Sequence, residues 1–282
     1  MKHLSPFCLP FLSLLLLFFW VEKNSLLAQE KNPTAQPVAI IGAMDAEIEQ
    51  FRSYLKNAKS TQLLGVTFYQ GSIEDQPVVL VKSGIGKVNA ALTTALLLQN
   101  FKPSAVIFTG IAGGIGENLL PGDIVISTQT AQHDFGQLSS EGISVWQTFN
   151  REEKSNPLFF PCDSALVSLA EQAAAQAQLR LVRTYDAKRK PSINKGTIVT
   201  GDVFMASSQG KAKLIKDFNA AAVEMEGGAV AQICFQEKIP YLVIRSISDT
   251  ADEDAERFYK KFIKVAAFNS ASLVIEMLKL ME

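Results

Sequence analysis

Apolar residues in this chain fall into short runs and helical stripes that alternate. "VAIIGA" (38–43) is a short run with β-branched residues and predicts a buried strand. "DAEIEQFRSYLKN" (45–57) follows with Ile48, Phe51 and Leu55 on one helical face. "LLGVTFYQGSI" (63–73) and "PVVLVKSGI" (77–85) read as two strands, and "GKVNAALTTALLLQNF" (86–101) as a helix. "SAVIFTG" (104–110) is a strand expected to end in a Gly-rich turn, "GIAGGIG" (110–116). "GDIVISTQTAQ" (122–132) predicts a long strand and "SALVSLAEQAAAQAQ" (164–178) a helix. "GTIVTGD" (196–202) predicts a strand and "QGKAKLIKDF" (209–218) a helix. "AAAVEME" (220–226) is a strand running into the helix "GGAVAQICFQEK" (227–238). "PYLVIRSISD" (240–249) is a last strand, and 252–282 is mostly one long helix. Glycine-bounded strands alternating with helices predict a single α/β domain with a largely parallel or mixed central sheet.

The first residues break this pattern. "MKHLSPFCLPFLSLLLLFFWVEKNSLLAQE" has a basic start at Lys2, an apolar run from Phe7 to Val21 and a polar stretch ending in "LLAQ". This is the layout of a secretory signal peptide over 1–28, cleaved after Ala28. The run is shorter than the ~20 residues of a usual spanning helix, and a retained anchor is the alternative. Residues 29–37, with "KNPTAQP", read as a linker, and 38–282 as the folded domain. Export to a periplasm or cell surface is the expectation.

Composition narrows the chemistry. The 282-residue chain is 48% hydrophobic and 20% charged, an ordinary globular balance, and its formal net charge is −1. Nothing in that charge suggests a nucleic-acid binder. Three cysteines and two histidines, in no ligand spacing, predict neither a disulfide framework nor a metal centre. No cofactor is expected.

In open α/β sheets, sites form beyond the carboxyl ends of strands. The polar residues that interrupt the apolar pattern sit at such ends. Asp45 and Glu47 follow the first strand, Ser83 follows another, and Asp202, Phe204 and Ser208 follow "IVTG". Glu224, Met225 and Glu226 end "AAAVEME", and Arg245, Ser248 and Asp249 end the last strand. Singly, each such acid reads as readily as a helix cap or an ion-pair partner. Together they read as a site.

"IIGAMDAEI", "KSGIGKVNAA", "TGIAGGIGENLLPGDIVIS", "HD", "TGDVFMASS", "AVEMEGGAVA" and "VIRSISDTAD" occur in an order that resembles the 5'-methylthioadenosine/S-adenosylhomocysteine nucleosidase family, of the nucleoside phosphorylase superfamily. The resemblance covers the chain from Val38 onward. It implies a twisted mixed central sheet flanked by helices, usually in a homodimer. It also implies hydrolysis of the N-glycosidic bond of adenine thionucleosides to adenine and a thioribose. Such a reaction develops an oxocarbenium-like sugar and an anionic base. It needs an acid for the base, a carboxylate for water and acceptors for the sugar hydroxyls.

By that resemblance Asp249 is the acid aimed at adenine N7 and Glu47 the carboxylate that activates water. Glu226 accepts from the ribose 2'- and 3'-hydroxyls, Met225 packs on the sugar, and Glu224 has a structural role. Phe204 stacks on adenine, the backbone near Met205 reads its edge, and Ser208 touches the purine or its acid. Arg245 steadies Glu47 or the water. Ile85 and Phe258 surround the 5'-thio substituent. His133 and Asp134 match a pair at the subunit boundary, or equally a loop tie. Two departures stand out: Ile111 occupies a position that is serine in many members, and the segment "HDFGQLSSEG" is short. Three other functions fit less well: a phosphate-dependent phosphorylase, a hydrolase of a related nucleoside such as aminodeoxyfutalosine, and an exported nucleoside-binding protein.

Overall fold

The computed structural model describes residues 36–140, 142–183 and 188–281. The expected signal peptide of 1–28, and the linker up to residue 35, lie outside those residues.

Strand β1 (Val38–Gly42) is buried along its whole length, as its unbroken apolar run requires. It lies parallel between β4 (Gln76–Lys82) and β5 (Ala105–Gly114). On the outer side of β4, β3 (Val66–Ile73) and then β2 (Lys56–Leu63) add antiparallel. On the other side, β14 (Tyr241–Asp249) runs parallel to β5, and β6 (Ile124–Gln132) antiparallel to β14. β12 (Ile193–Thr200) follows parallel to β6, and β13 (Ala220–Glu224) parallel to β12. β13 then pairs antiparallel with the far end of β5, Ala222 opposite Gly114 and Val223 opposite Gly113. Strands β5, β14, β6, β12 and β13 therefore close into a ring, from which the rest of the mixed sheet extends. The small pairs β7 (Gly136–Ser139) with β8 (Gly142–Val145), and β10 (Val182–Arg183) with β11 (Lys188–Arg189), stand apart, while β9 (Phe160–Pro161) joins β6.

Helices α1 (Asp45–Tyr54), α2 (Lys87–Phe101), α3 (Ser164–Ala174), α4 (Ser208–Phe218), α5 (Gly227–Glu237) and α6 (Ala255–Leu280) cover the sheet. Caps fix several starts: Asp163 Oδ1 accepts from the N–H groups of Ala165 and Leu166, each at 3.0 Å, and Ser207 Oγ accepts from Gly210 N at 3.2 Å. α6 lies along β14 and β5 and also packs on α1 and α3. Among the described residues no helix is long and apolar enough to cross a membrane.

Two expectations are corrected. Residues 110–114 are not a turn; β5 continues through them, fully buried. Their glycines serve close approach, because a Cβ at Gly110 would collide with Arg245 Nη1 and Glu47 Oε1. The first helix also ends at Tyr54, and 56–63 forms β2, exposed along nearly all its length. Its polar sequence has no alternation to mark it. The ladder to β3 and a two-residue turn, Leu64 (φ 46°) and Gly65 (φ 81°), hold it instead.

Candidate active site

β5 pairs with β1 as far as Phe108 and with β13 from Gly113. Between these points the edge of β5 opens, and the site forms there. Ile111 N–H faces the opening and donates to Glu47 Oε1 at 2.9 Å. Glu47 is the third residue of α1, and its side chain turns back over the helix start. Its Oε2 accepts from Ala43 N at 2.7 Å and Met44 N at 2.9 Å, as in a capping box. Burial pushes its pKa up, opposed by Arg245 and by these three donors.

The end of β13 supplies Glu224, Met225 and Glu226. Glu224 is saturated: Thr200 Oγ1 and Arg245 Nη2 bond it closely, and Gly227 N (2.8 and 2.9 Å) and Glu226 N (3.1 Å) donate to it. Glu226 has far fewer partners. Oε1 accepts from Gly86 N at 2.8 Å, and Oε2 lies 3.5 Å from Arg245 Nη2. Arg245 is completely buried, its guanidinium 4.1 Å from the Phe108 ring centroid. It is one cation facing Glu224, Glu226 and Glu47. That imbalance shows in Glu226, whose pKa is pushed up to about 8 by burial and the Glu224 charge, with Arg245 opposing.

β14 ends in Ser248 and Asp249. Ser248 Oγ donates to Asp249 Oδ2 at 2.7 Å, and Ala251 N to Oδ1 at 2.9 Å. Burial raises the pKa of Asp249 despite these donors. Burial raises the pKa of all three acids, and they differ in their partners: Glu47 is tied by three backbone donors, Glu226 is under-bonded, and Asp249 has one hydroxyl and one backbone donor.

These ends line one cavity of about 340 Å³, within the usual range for a small-molecule pocket. Its wall brings together Glu47, Ile85, Phe204, Met205, Met225, Glu226 and Asp249, with Ile111, Ser248 and Glu224. Phe204 stands edge-on to Tyr259, ring centroids 5.9 Å apart. The remaining sequence-predicted residues lie elsewhere. Arg245 is behind the wall and holds the carboxylates from beneath. Ser208 does not reach the cavity; its N–H and hydroxyl are engaged by Glu253 at 2.9 and 2.6 Å. Phe258 is corrected too: it stacks on Phe262, and the next residue, Tyr259, lines the cavity. One step along a helix turns a side chain by ~100°. The stripe Ala255, Tyr259, Phe262, Ala266 is the signal that identifies Tyr259.

Asp45 pairs at the surface with Lys82 at 2.9 Å, and Asp202 Oδ1 accepts from Lys87 N at 2.8 Å at the start of α2. Asp134 ties Lys87 Nζ (2.6 Å) to the Asp202 N–H (2.8 Å), and the buried His133 ring lies against Gly201. The short segment after His133 supplies β7, exposed along its length, which pairs with the mostly half-buried β8.

Comparison with known proteins gives the family. The phosphorylase superfamily model matches residues 37–279. A 5'-methylthioadenosine/S-adenosylhomocysteine nucleosidase of Aeromonas salmonicida is 39% identical over 242 residues, covering 86% of this chain and 98% of that protein. The crystal structure of such a nucleosidase from Neisseria meningitidis, in complex with methylthio-immucillin-A, is 39% identical, with a TM-score of 0.76, 87% of this chain covered and 100% of that one. A futalosine hydrolase of Helicobacter pylori is 30% identical, with a TM-score of 0.76, 89% of this chain covered and 100% of that one. This chain belongs to the phosphorylase superfamily and, within it, to the 5'-methylthioadenosine/S-adenosylhomocysteine nucleosidase family of N-glycosyl hydrolases.

Proposed function

We propose that the protein hydrolyses 5'-methylthioadenosine and S-adenosylhomocysteine with Asp249 as the acid and Glu47 as the base. Asp249 protonates adenine N7 as the glycosidic bond breaks, so that adenine leaves neutral. Glu47 takes a proton from the water that attacks the sugar carbon. Glu226 accepts from the ribose hydroxyls, and its charge stabilises the cationic sugar. Met225 packs on the ribose, Phe204 stacks on adenine, and the Met205 backbone meets the purine edge. Ile85 borders the 5' substituent. Arg245 acts as a positioning residue through Glu224 and Glu226.

The observation that carries this reading is the wall at the reacting end. Glu47, Glu226 and Asp249 line it, and no cation does among the described residues. That surface suits water and hydroxyl donors, and it offers phosphate no cation to hold it. The test is adenine release in phosphate-free buffer. Free adenine and a reducing thioribose are expected; a ribose-1-phosphate that forms only when phosphate is added would overturn the reading. The likeness to a futalosine hydrolase supports one further substrate, the related adenine nucleoside aminodeoxyfutalosine, as a competitor in the same assay.

The protein acts as an exported homodimer in thionucleoside breakdown and methionine salvage. Val88 and Leu92, one turn apart on α2, are exposed, as are Trp146 and Phe149, and such exposed large apolar side chains support the dimer. Light scattering at the mass of one chain would refute it. The basic start and short apolar run support export. An exported protein with its N-terminus at Gln29 is expected, and an intact Met1 would favour an anchor.

A further inference from the structure

The cavity has two chemically different ends. The reacting end is lined by buried carboxylates. Along Met44, Ile85, Val203 and Phe204 the wall is apolar, and at the mouth Glu256, Tyr259 and Lys260 line it. These three stand at i, i+3 and i+4 on the first turns of α6, hence on one face. Lys260 is the sole cation among the described lining residues. Lys260 Nζ donates to Glu256 Oε1 at 2.5 Å, with the two side chains 70% and 74% exposed. A solvated pair of this kind is weak and exchanges partners at little cost. It presents one negative and one positive group side by side.

Resting on the nucleosidase reading, we infer that Glu256 and Lys260 are specificity-determining residues for a 5' tail that ends in a zwitterionic α-amino acid. Glu256 takes the ammonium and Lys260 the carboxylate, while Tyr259 walls the thioether between mouth and sugar. A methylthio tail carries neither charge and engages neither residue. The clamp therefore separates S-adenosylhomocysteine from 5'-methylthioadenosine without contact to the reacting atoms.

The test measures kcat/KM for both substrates in the full chain and in Lys260→Gln, Glu256→Gln and the double variant. Exposed charge pairs correspond to small factors, so each single change should lower kcat/KM for S-adenosylhomocysteine by about 2- to 5-fold. The loss should lie in KM, with 5'-methylthioadenosine unchanged. A deamino analogue, with the carboxylate but no ammonium, should respond to Lys260→Gln and not to Glu256→Gln. Raising the salt from ~0.05 to ~0.5 M should raise KM for S-adenosylhomocysteine alone. Equal losses on both substrates, or none on S-adenosylhomocysteine, would overturn the clamp and leave the nucleosidase reading standing. Failure of the parent protein to release adenine from either substrate would overturn that reading, and the clamp with it.

Discussion

Glu224 and Glu226 end the same strand two residues apart, and their surroundings treat them in opposite ways. Glu224 collects a hydroxyl, two backbone N–H groups and a guanidinium. Glu226 has one backbone donor and a long contact to the same guanidinium. A carboxylate has about four acceptor sites. Glu224 spends its sites inside the protein, whereas Glu226 keeps its own for something in the cavity. The comparison separates a carboxylate that organises a site from one that works in it, though both are buried and both read alike in "VEME".

The sharpest way to break the comparison is to remove each acid in turn. Glu224→Ala leaves the buried Arg245 without its closest partner. Breaking a buried charge pair costs about 3–5 kcal/mol, and urea unfolding should show a loss of that size. Glu226→Gln removes a charge that the fold opposes and should leave stability unchanged or higher. If Glu224→Ala stays within the ~0.5 kcal/mol of an ordinary surface change, Arg245 is balanced by Glu47 and Glu226 instead.

Activity should invert that order. Glu226→Gln keeps the shape but removes the charge facing the sugar. Loss of one such electrostatic stabiliser typically costs about 10²–10³ in turnover. Near-normal turnover in a folded Glu226→Gln protein would mean that the ribose hydroxyls bind elsewhere.

Asp249 carries the same distinction to the leaving group. Asn at this position can donate to N7 but cannot transfer a proton. Asp249→Asn should slow adenine release by roughly 10²-fold. A nitrophenyl riboside, whose leaving group needs no proton, should lose far less. Equal losses on both substrates would show that Asp249 acts through positioning.

How far this site is legible in the sequence depends on what fixes each side chain. Met225, Glu226 and Asp249 end or directly follow apolar strands, so the strand run itself aims them at one edge of the sheet, while Glu47 sits in the first turn of α1 and is aimed by the backbone donors of Ala43 and Met44. Ser208 and Phe258 follow irregular stretches, where the helical phase is set by tertiary contacts. Ser208 is drawn to Glu253, 45 residues away, and Tyr259 takes the wall position expected of Phe258. The glycines of "TGIAGG" read locally as a turn, because the reason for them, Arg245 and Glu47 crowding Gly110, lies on other elements. β2 is hidden for the opposite reason: its register comes from backbone pairing, and no side-chain pattern records it.

The smallest effect, and the one that tests the under-bonding of Glu226 most directly, is its titration. In the free protein burial and the Glu224 charge push its pKa up to about 8, so its charged fraction grows as pH rises through the neutral range. The groups facing it are Glu224, Arg245 and Glu47, with Gly86 N donating from the start of α2. A protonated carboxyl offers fewer acceptor sites to the ribose hydroxyls. Since kcat/KM reports groups of the free enzyme, it should rise with pH toward about 8, by at most ~10-fold per unit. The limb should vanish in Glu226→Gln. Stability should move the other way. The folded-state pKa lies above the ordinary 4.5, so between 4.5 and about 8 the folded protein binds more protons than the unfolded chain. Its stability should therefore fall as pH rises through that window, and fall less in Glu226→Gln. If both proteins show the same slope in activity and in thermal melting, Glu226 is ionised throughout. Arg245 would then outweigh burial, and the contrast with Glu224 would rest on donor geometry alone.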